Sequence, residues 1–191
     1  MRQLYGQLIP ALWIAWLIYW RLSAAGVKPA TRVESTLSRT GHYLPLIIAG
    51  VLLWMRRIPD GGLLFERFWP RSAQAYWCGV ALVAAGLAFS LWARRTIGRN
   101  WSGNVTVKQD HELVTSGPYA LVRHPIYTGL LLMFIGTAIA RGEWRGLLAV
   151  LIVLVALWRK LRLEERWMTE TFGDAYRRYR ERTAALIPWL L

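Results

Sequence analysis

Five apolar runs decide what this chain can fold into: Leu8–Leu22, Tyr43–Met55, Ala75–Ala93, Ile126–Ala140 and Trp144–Leu157. The third approaches the ~20 residues that cross a hydrocarbon layer as a helix. The others span only with their flanking residues or in a thinned bilayer. Any one of them alone would suit the core of a soluble protein, but five in 191 residues leave little chain for anything else. Hydrophobic residues make up 55% of the sequence and there are 12 tryptophans, a residue type that gathers at membrane interfaces. The first run, preceded by Arg2 and followed by Ser23, Ala24, Ala25 and Gly26, also fits a signal peptide.

The connections between the runs are uneven. Arg141-Gly142-Glu143 alone separates the fourth and fifth, so these must form an antiparallel helical hairpin. The second and third are joined through Pro59, Asp60, Gly61, Gly62 and Pro70. Leu63, Leu64, Phe65, Phe68 and Trp69 make that joint an interfacial segment rather than a free loop. Gly79 and Gly86, then Gly129 and Gly136, place small residues seven apart on two runs, a face for close packing between helices.

Net charge is +13, from 24 Lys and Arg against 11 Asp and Glu. Such a balance would suggest nucleic acid, but here the cations lie between apolar runs and would be pinned at a lipid surface. Five spans put Arg2, Arg56, Arg57, Arg67, Arg71, Arg141 and Arg145 on one side and the other 17 Lys and Arg opposite. The richer side is read as cytoplasmic, with the N-terminus outside. Eight of the 17 belong to the C-terminal tail, and without them the split is nine to seven.

Two polar regions then face the cytoplasm together, Arg94–Pro125 and Trp158–Leu191, and chemistry must be built from them. Pro125 suits the first position of a helix. The N–H groups of Ile126, Tyr127 and Thr128 would then be free to hold an anion, unless Arg123-His124-Pro125 merely caps a transmembrane helix. Lys160 and Glu164 share a helix face four residues apart. A helix N-terminus beside one carboxylate makes a clamp for a zwitterion, such as an amino-acid moiety. The competing reading places Glu164 and Glu165 on a solvated, mixed-charge face. Phe172, Tyr176 and Tyr179 form an aromatic stripe flanked by Arg177, Arg178, Arg180 and Arg182, which fits an amphipathic helix against anionic headgroups. His42, His111 and His124 lack metal-ligand spacing, Cys78 is the only cysteine, and neither a Ser-His-Asp order nor a phosphate-binding Gly-rich loop occurs.

His111-Glu112-Leu113-Val114, Gly117-Pro118-Tyr119, Arg123-His124-Pro125-Ile126-Tyr127-Thr128-Gly129, Glu164-Glu165, Phe172-Gly173-Asp174-Ala175-Tyr176 and Tyr179 together resemble the isoprenylcysteine carboxyl methyltransferase family. That family lies within a wider phospholipid methyltransferase group with more distant membrane sterol reductases. The resemblance covers roughly Gly98–Pro188. It implies S-adenosylmethionine as methyl donor, held in a cytoplasmic pocket, and a lipid-linked acceptor entering from the bilayer. It implies cofactor contacts from His111, Glu112, Leu113, Val114, Tyr119, His124, Pro125, Ile126, Tyr127 and Glu164, with Asn104 near another such position. The family's substrate arginine is replaced here by Lys160, which keeps the charge and loses the planar fork; Arg159 or Arg162 stand close by as substitutes.

The expected fold is all-α: a polytopic integral membrane helical bundle of about five transmembrane helices. Residues 1–93 carry helices 1–3, and residues 94–191 carry the methyltransferase region, its pocket formed by the segment before helix 4 and the C-terminal helices. The expected function is methylation, by S-adenosylmethionine, of a carboxylate or other nucleophile on a lipid-like or prenylcysteine-like acceptor at the cytoplasmic face. No metal and no nucleic acid are expected, and the bilayer is read as a prokaryotic inner membrane. Two alternatives are a membrane reductase on a related scaffold using a nicotinamide cofactor and a non-enzymatic membrane binding protein.

Overall fold

The computed structural model describes residues 6–56, 58 and 61–188. Each apolar run becomes a helix: α1 Leu8–Ser23, α2 Thr36–Trp54, α3 Ala73–Ile97, α4 Pro125–Arg141 and α5 Trp144–Phe172. A short α6, Asp174–Arg182, follows. Among the described residues, one helical stretch, Ala73–Asn100, is both long and apolar enough to cross a membrane by itself.

Sequence decides where the helices start and stop. Ser35 and Ser72 cap α2 and α3, their hydroxyls accepting from the N–H groups of Ser38 and Ala75. Gly142, with φ of 64°, ends α4 in the left-handed region and turns the chain directly into α5. The fifth apolar run does not stop at Leu157. Leu, Lys, Arg and Glu, all strong helix formers, carry the same helix on through 29 residues to Gly173. Membrane-like and charged segments are therefore one rigid rod.

α3 packs along α4, and α2 along α5. The seven-residue glycine spacing does what it predicts. A Cβ on Gly79 would strike the Gly136 carbonyl, and one on Gly86 the Gly129 carbonyl, with the reciprocal clashes equally direct. The core between α2, α4 and α5 is built from Ala49, Leu53, Leu130, Phe134, Val153, Leu157 and Leu161. α1 joins the same bundle: the Trp13 indole donates to Thr137 at 3.0 Å and its ring meets Phe134 edge-on at 5.0 Å. Apolar side chains remain outside, among them Ile14, Leu17, Ile47, Val51, Leu151 and Val155, as lipid-facing surfaces do.

The fold is not purely helical. β1, Ala30–Val33, pairs antiparallel with β2, Thr106–Lys108, placing Ala30 opposite Lys108 and Val33 opposite Thr106. This ribbon lashes the α1–α2 connection to the polar segment after α3. At the opposite end of the bundle the Leu63–Trp69 segment lies over the α4–α5 turn. There the buried Glu143 accepts from Arg67 at 3.2 Å and from Arg145 at 2.7 Å, and Trp69 donates to the Ile139 carbonyl. Arg57, Pro59 and Asp60 of this joint fall outside the described residues.

The stripe Phe172, Tyr176 and Tyr179 does not lie on a lipid surface. Gly173 breaks the helix and redirects α6, so that Tyr176 is buried and the Tyr179 hydroxyl donates to the Tyr119 carbonyl at 2.6 Å. These aromatics clamp α6 onto the segment preceding α4.

Candidate active site

The first turn of α4 and the charged end of α5 meet in one cluster. The Tyr127 hydroxyl donates to Glu164 Oε1 at 2.5 Å. His124 stands between two carboxylates, its Nδ1 3.5 Å from Glu164 Oε2 and its Nε2 3.4 Å from Glu165 Oε1. The His124 and Tyr127 rings are parallel within 1° at 5.4 Å between centroids. Burial disfavours the imidazolium, but the hydrogen bonds and charges of Glu164 and Glu165 outweigh it and raise the His124 pKa. Burial likewise opposes the Glu164 carboxylate, yet His124, Lys160 and Tyr127 hold its pKa below the usual range. Glu165 is pulled down to about 2 against burial, by His124 and Arg123.

Glu165 is therefore no solvated charge. It is 6% exposed, and Arg123 Nε donates to it at 2.7 Å. Arg123 also donates to the Thr183 carbonyl, so this pair fastens α5 to the chain before α4 and to the end of α6. Sequence order hides the pair, because 42 residues separate its members.

The start of α4 is less open than Pro125 suggests. The N–H groups of Tyr127 and Thr128 both reach the His124 carbonyl, at 3.0 and 3.1 Å. The C-terminal segment covers the same end, its Ala184 and Ala185 carbonyls accepting from Arg123 and His124 and its Leu186 carbonyl from the Thr128 hydroxyl. Of the three N–H groups expected for an anion, Ile126 alone makes no hydrogen bond among the described residues. A local turn and a distant carbonyl ladder have used the rest.

Lys160 supplies the cation instead. It is 7% exposed, its Nζ donates to the Gly103 carbonyl at 2.7 Å, and it lies 5.4 Å from the centre of the Tyr127 ring and 5.8 Å from that of Tyr43. Tyr43, from α2, was outside every motif. Its hydroxyl lies 3.0 Å from the Gly103 carbonyl and 3.2 Å from Asn104 Oδ1, which brings Asn104 to the cluster's edge. Tyr119 is buried, within electrostatic reach of Glu164 and of Arg94 at the end of α3. Only their place at the ends of apolar runs marks Tyr43 and Arg94 in the sequence.

His111 and Glu112 form a second group. His111 meets Phe172 edge-on at 5.5 Å, and burial with Lys28 and Lys108 lowers its pKa. Glu112, largely exposed, pairs with Lys28 at 3.8 Å and accepts from the Asn100 amide at 3.4 Å. Leu113 and Val114 are half-buried beside them. Asn100 is buried, and its Oδ1 lacks a partner among the described residues. Among the described residues, Arg159 and Arg162 make no hydrogen bond or ion pair with Glu164; with Lys160, Glu165, Arg166 and Arg180 they line a cavity that adjoins the cluster.

A carboxylate, an ammonium, parallel aromatic planes and an unpartnered amide oxygen suit a zwitterionic donor carrying an aromatic base. Residues 74–175 match the family described as phospholipid methyltransferase. An Arabidopsis thaliana protein-S-isoprenylcysteine O-methyltransferase B is 26% identical over 177 residues, covering 87% of this chain and 84% of that protein. The mouse protein-S-isoprenylcysteine O-methyltransferase is 30% identical, covering 78% of this chain and 53% of that protein. Among solved structures, the eukaryotic intramembrane Ras methyltransferase ICMT aligns with a TM-score of 0.57 at 26% identity, over 78% of this chain and 54% of that one. This chain thus spans about half the length of the mouse relative and of the solved chain. Fold and sequence together define a membrane-enzyme class, the methyltransferases. The chain belongs to the phospholipid methyltransferase family, and within it resembles the isoprenylcysteine O-methyltransferases.

Proposed function

We propose that this chain uses S-adenosylmethionine to methylate a lipid-like acceptor, carboxylate-bearing or prenylcysteine-like, at the cytoplasmic face of a prokaryotic inner membrane. The observation that carries the reading is the Glu164 carboxylate, kept ionised and aimed by Tyr127 and His124 beneath the helical bundle. The similarity to an intramembrane methyltransferase supports a membrane-embedded bundle, and the five apolar runs support a count of five spans. The Lys and Arg distribution supports an external N-terminus and a cytoplasmic C-terminus.

The donor, when bound, supplies an activated methyl group on a sulfonium. Glu164 keeps lone pairs beyond those given to Tyr127 and His124, and these accept from an ammonium or a ribose hydroxyl. Tyr119, Tyr127 and His124 present faces to adenine or to the sulfonium, and the Pro125–Ile126 backbone closes that side. Asn104, His111, Glu112, Leu113 and Val114 complete the donor's enclosure. Lys160 is the residue placed toward an acidic acceptor, with Arg159 and Arg162 behind it. Its Nζ has two N–H donors left after Gly103. Positioning and exclusion of water can supply much of the acceleration, and a carboxylate acceptor needs no general base.

Titration calorimetry of detergent-purified protein with S-adenosylmethionine tests the reading. Binding by the wild type, weakened in Glu164→Gln, is expected. Absence of binding by the wild type, or binding of a reduced nicotinamide dinucleotide instead, overturns it.

A further inference from the structure

A cationic cavity runs along α5 beside the Glu164 cluster. With a volume of about 570 Å³ it opens between the start of α2, α5 and α6, walled by Ser38, Arg159, Arg162, Arg166, Thr169 and Arg180. Its cations outweigh its acids, and the acids are already engaged. Glu165 is held by Arg123 at 2.7 Å, and Glu170 by Arg32 at 2.6 Å. Arg159 donates to the Ser38 carbonyl and Arg180 lies 3.5 Å from Glu165. Arg162 and Arg166 are exposed and make no hydrogen bond or ion pair among the described residues.

Lys160, His42 and Glu165 line the inner end, so the cavity reaches the edge of the Glu164 cluster, while its outer wall turns away from it. At about 100° per residue, Arg162 and Arg166 point roughly opposite to Glu164. Neither Glu164 nor Tyr127 lines the cavity. The same face of α5, followed toward its start, is apolar and uncovered. Trp158, Val155, Leu151 and Leu147 are all exposed, and together with Arg162 and Arg166 they recur at three- and four-residue intervals. A greasy stripe thus passes a tryptophan and ends, within one turn, at unpaired guanidiniums. A free anion would use the guanidiniums and leave the stripe bare. An anionic phospholipid uses both, its phosphate at the bidentate arginine forks and its acyl chains along the stripe.

The geometry points to a binding site for one anionic phospholipid, headgroup at the Arg162–Arg166 end of the cavity and acyl chains on the Leu147–Trp158 face, beside the acceptor side of the methyl-transfer site. This rests on the reading that α5 sits in a bilayer.

The test is native mass spectrometry of the full chain in detergent, titrated in turn with phosphatidylglycerol and phosphatidylcholine of matched chains. Wild type is expected to retain phosphatidylglycerol roughly tenfold better or more. Arg162→Gln/Arg166→Gln should lose that preference while keeping its helical circular dichroism, since both side chains are exposed. Arg177→Gln/Arg178→Gln, on α6, should keep it, as should Glu164→Gln. No preference in wild type, or preference surviving in Arg162→Gln/Arg166→Gln, overturns the site. Equal loss in the α6 variant overturns it in favour of diffuse surface charge, and displacement by millimolar inorganic phosphate in favour of a soluble anion. Protein soluble without detergent would remove the bilayer reading itself, whereas donor binding without lipid preference would remove only the lipid site.

Discussion

The Tyr127 hydroxyl donates to Glu164 across 2.5 Å and ties the first turn of α4 to the charged end of α5. A hydrogen bond to a charged group is worth roughly 1.5–3 kcal/mol. Tyr127→Phe is therefore expected to weaken S-adenosylmethionine binding by about ten- to a hundredfold, as is Glu164→Gln. The double variant should lose less than the sum, because the two share one bond. Calorimetry on all four proteins checks this, and strict additivity would mean the residues act apart.

The neighbouring glutamate answers to stability instead. Glu165→Gln leaves the largely buried Arg123 guanidinium beside a neutral amide, and breaking a buried pair costs up to about 3–5 kcal/mol. Thermal unfolding in detergent should show a large drop for Glu165→Gln and for Arg123→Gln. Arg177→Gln, which breaks an exposed pair with Asp174, should shift the midpoint very little.

The same cluster sets a pH window. The raised pKa of His124 gives stability that is full below the unfolded value of ~6.5 and is lost as pH climbs through the folded value. Glu165 contributes above ~4.3 and loses its contribution as pH falls through about 2. Stability from the cluster should peak between these limits and decline on the alkaline side. His124→Gln should abolish the decline, and unfolding midpoints measured from pH 5 to 9 would reveal an unchanged slope if the assignment is wrong.

Glycine tolerance should follow backbone contact rather than helix propensity. Gly86→Ala and Gly136→Ala push a methyl into a facing carbonyl and should cost about 1–3 kcal/mol. Gly50→Ala meets nothing within 4 Å and should be neutral or stabilising by up to about 1 kcal/mol. Unfolding midpoints of the three variants rank the effect.

Lys160→Met retains the stem over Tyr127 and removes the charge. Methyl transfer to an acidic acceptor should fall while donor affinity stays nearly constant, and Lys160→Arg should be tolerated. A parallel loss of donor binding would place Lys160 with the donor.

Five helices, the α4–α5 hairpin and the glycine seam were legible because each rests on a local pattern: an apolar run, a three-residue turn, a seven-residue spacing. The candidate site was legible as far as Glu164, Tyr127 and His124. Its supports were not. Arg123–Glu165, Tyr43–Asn104 and the β1–β2 ribbon join residues far apart in the chain, with no periodicity linking the partners. The aromatic stripe misled because amphipathic spacing is the same whether the apolar side meets lipid or protein. Only the turn at Gly173 decides between them.

The glycine contacts also decide where this molecule can breathe. At the four glycines between α3 and α4 backbone faces backbone, with little side-chain layer to slide or change rotamer. A rigid seam of this kind holds α3 and α4 in one fixed relation, with α2 and α5 packed on α4's other side. Tyr127 rides on α4 and Glu164 on α5, so their hydrogen bond is a latch between the seam and the helix beside it. Any widening that admits a bulky guest must first unfasten it.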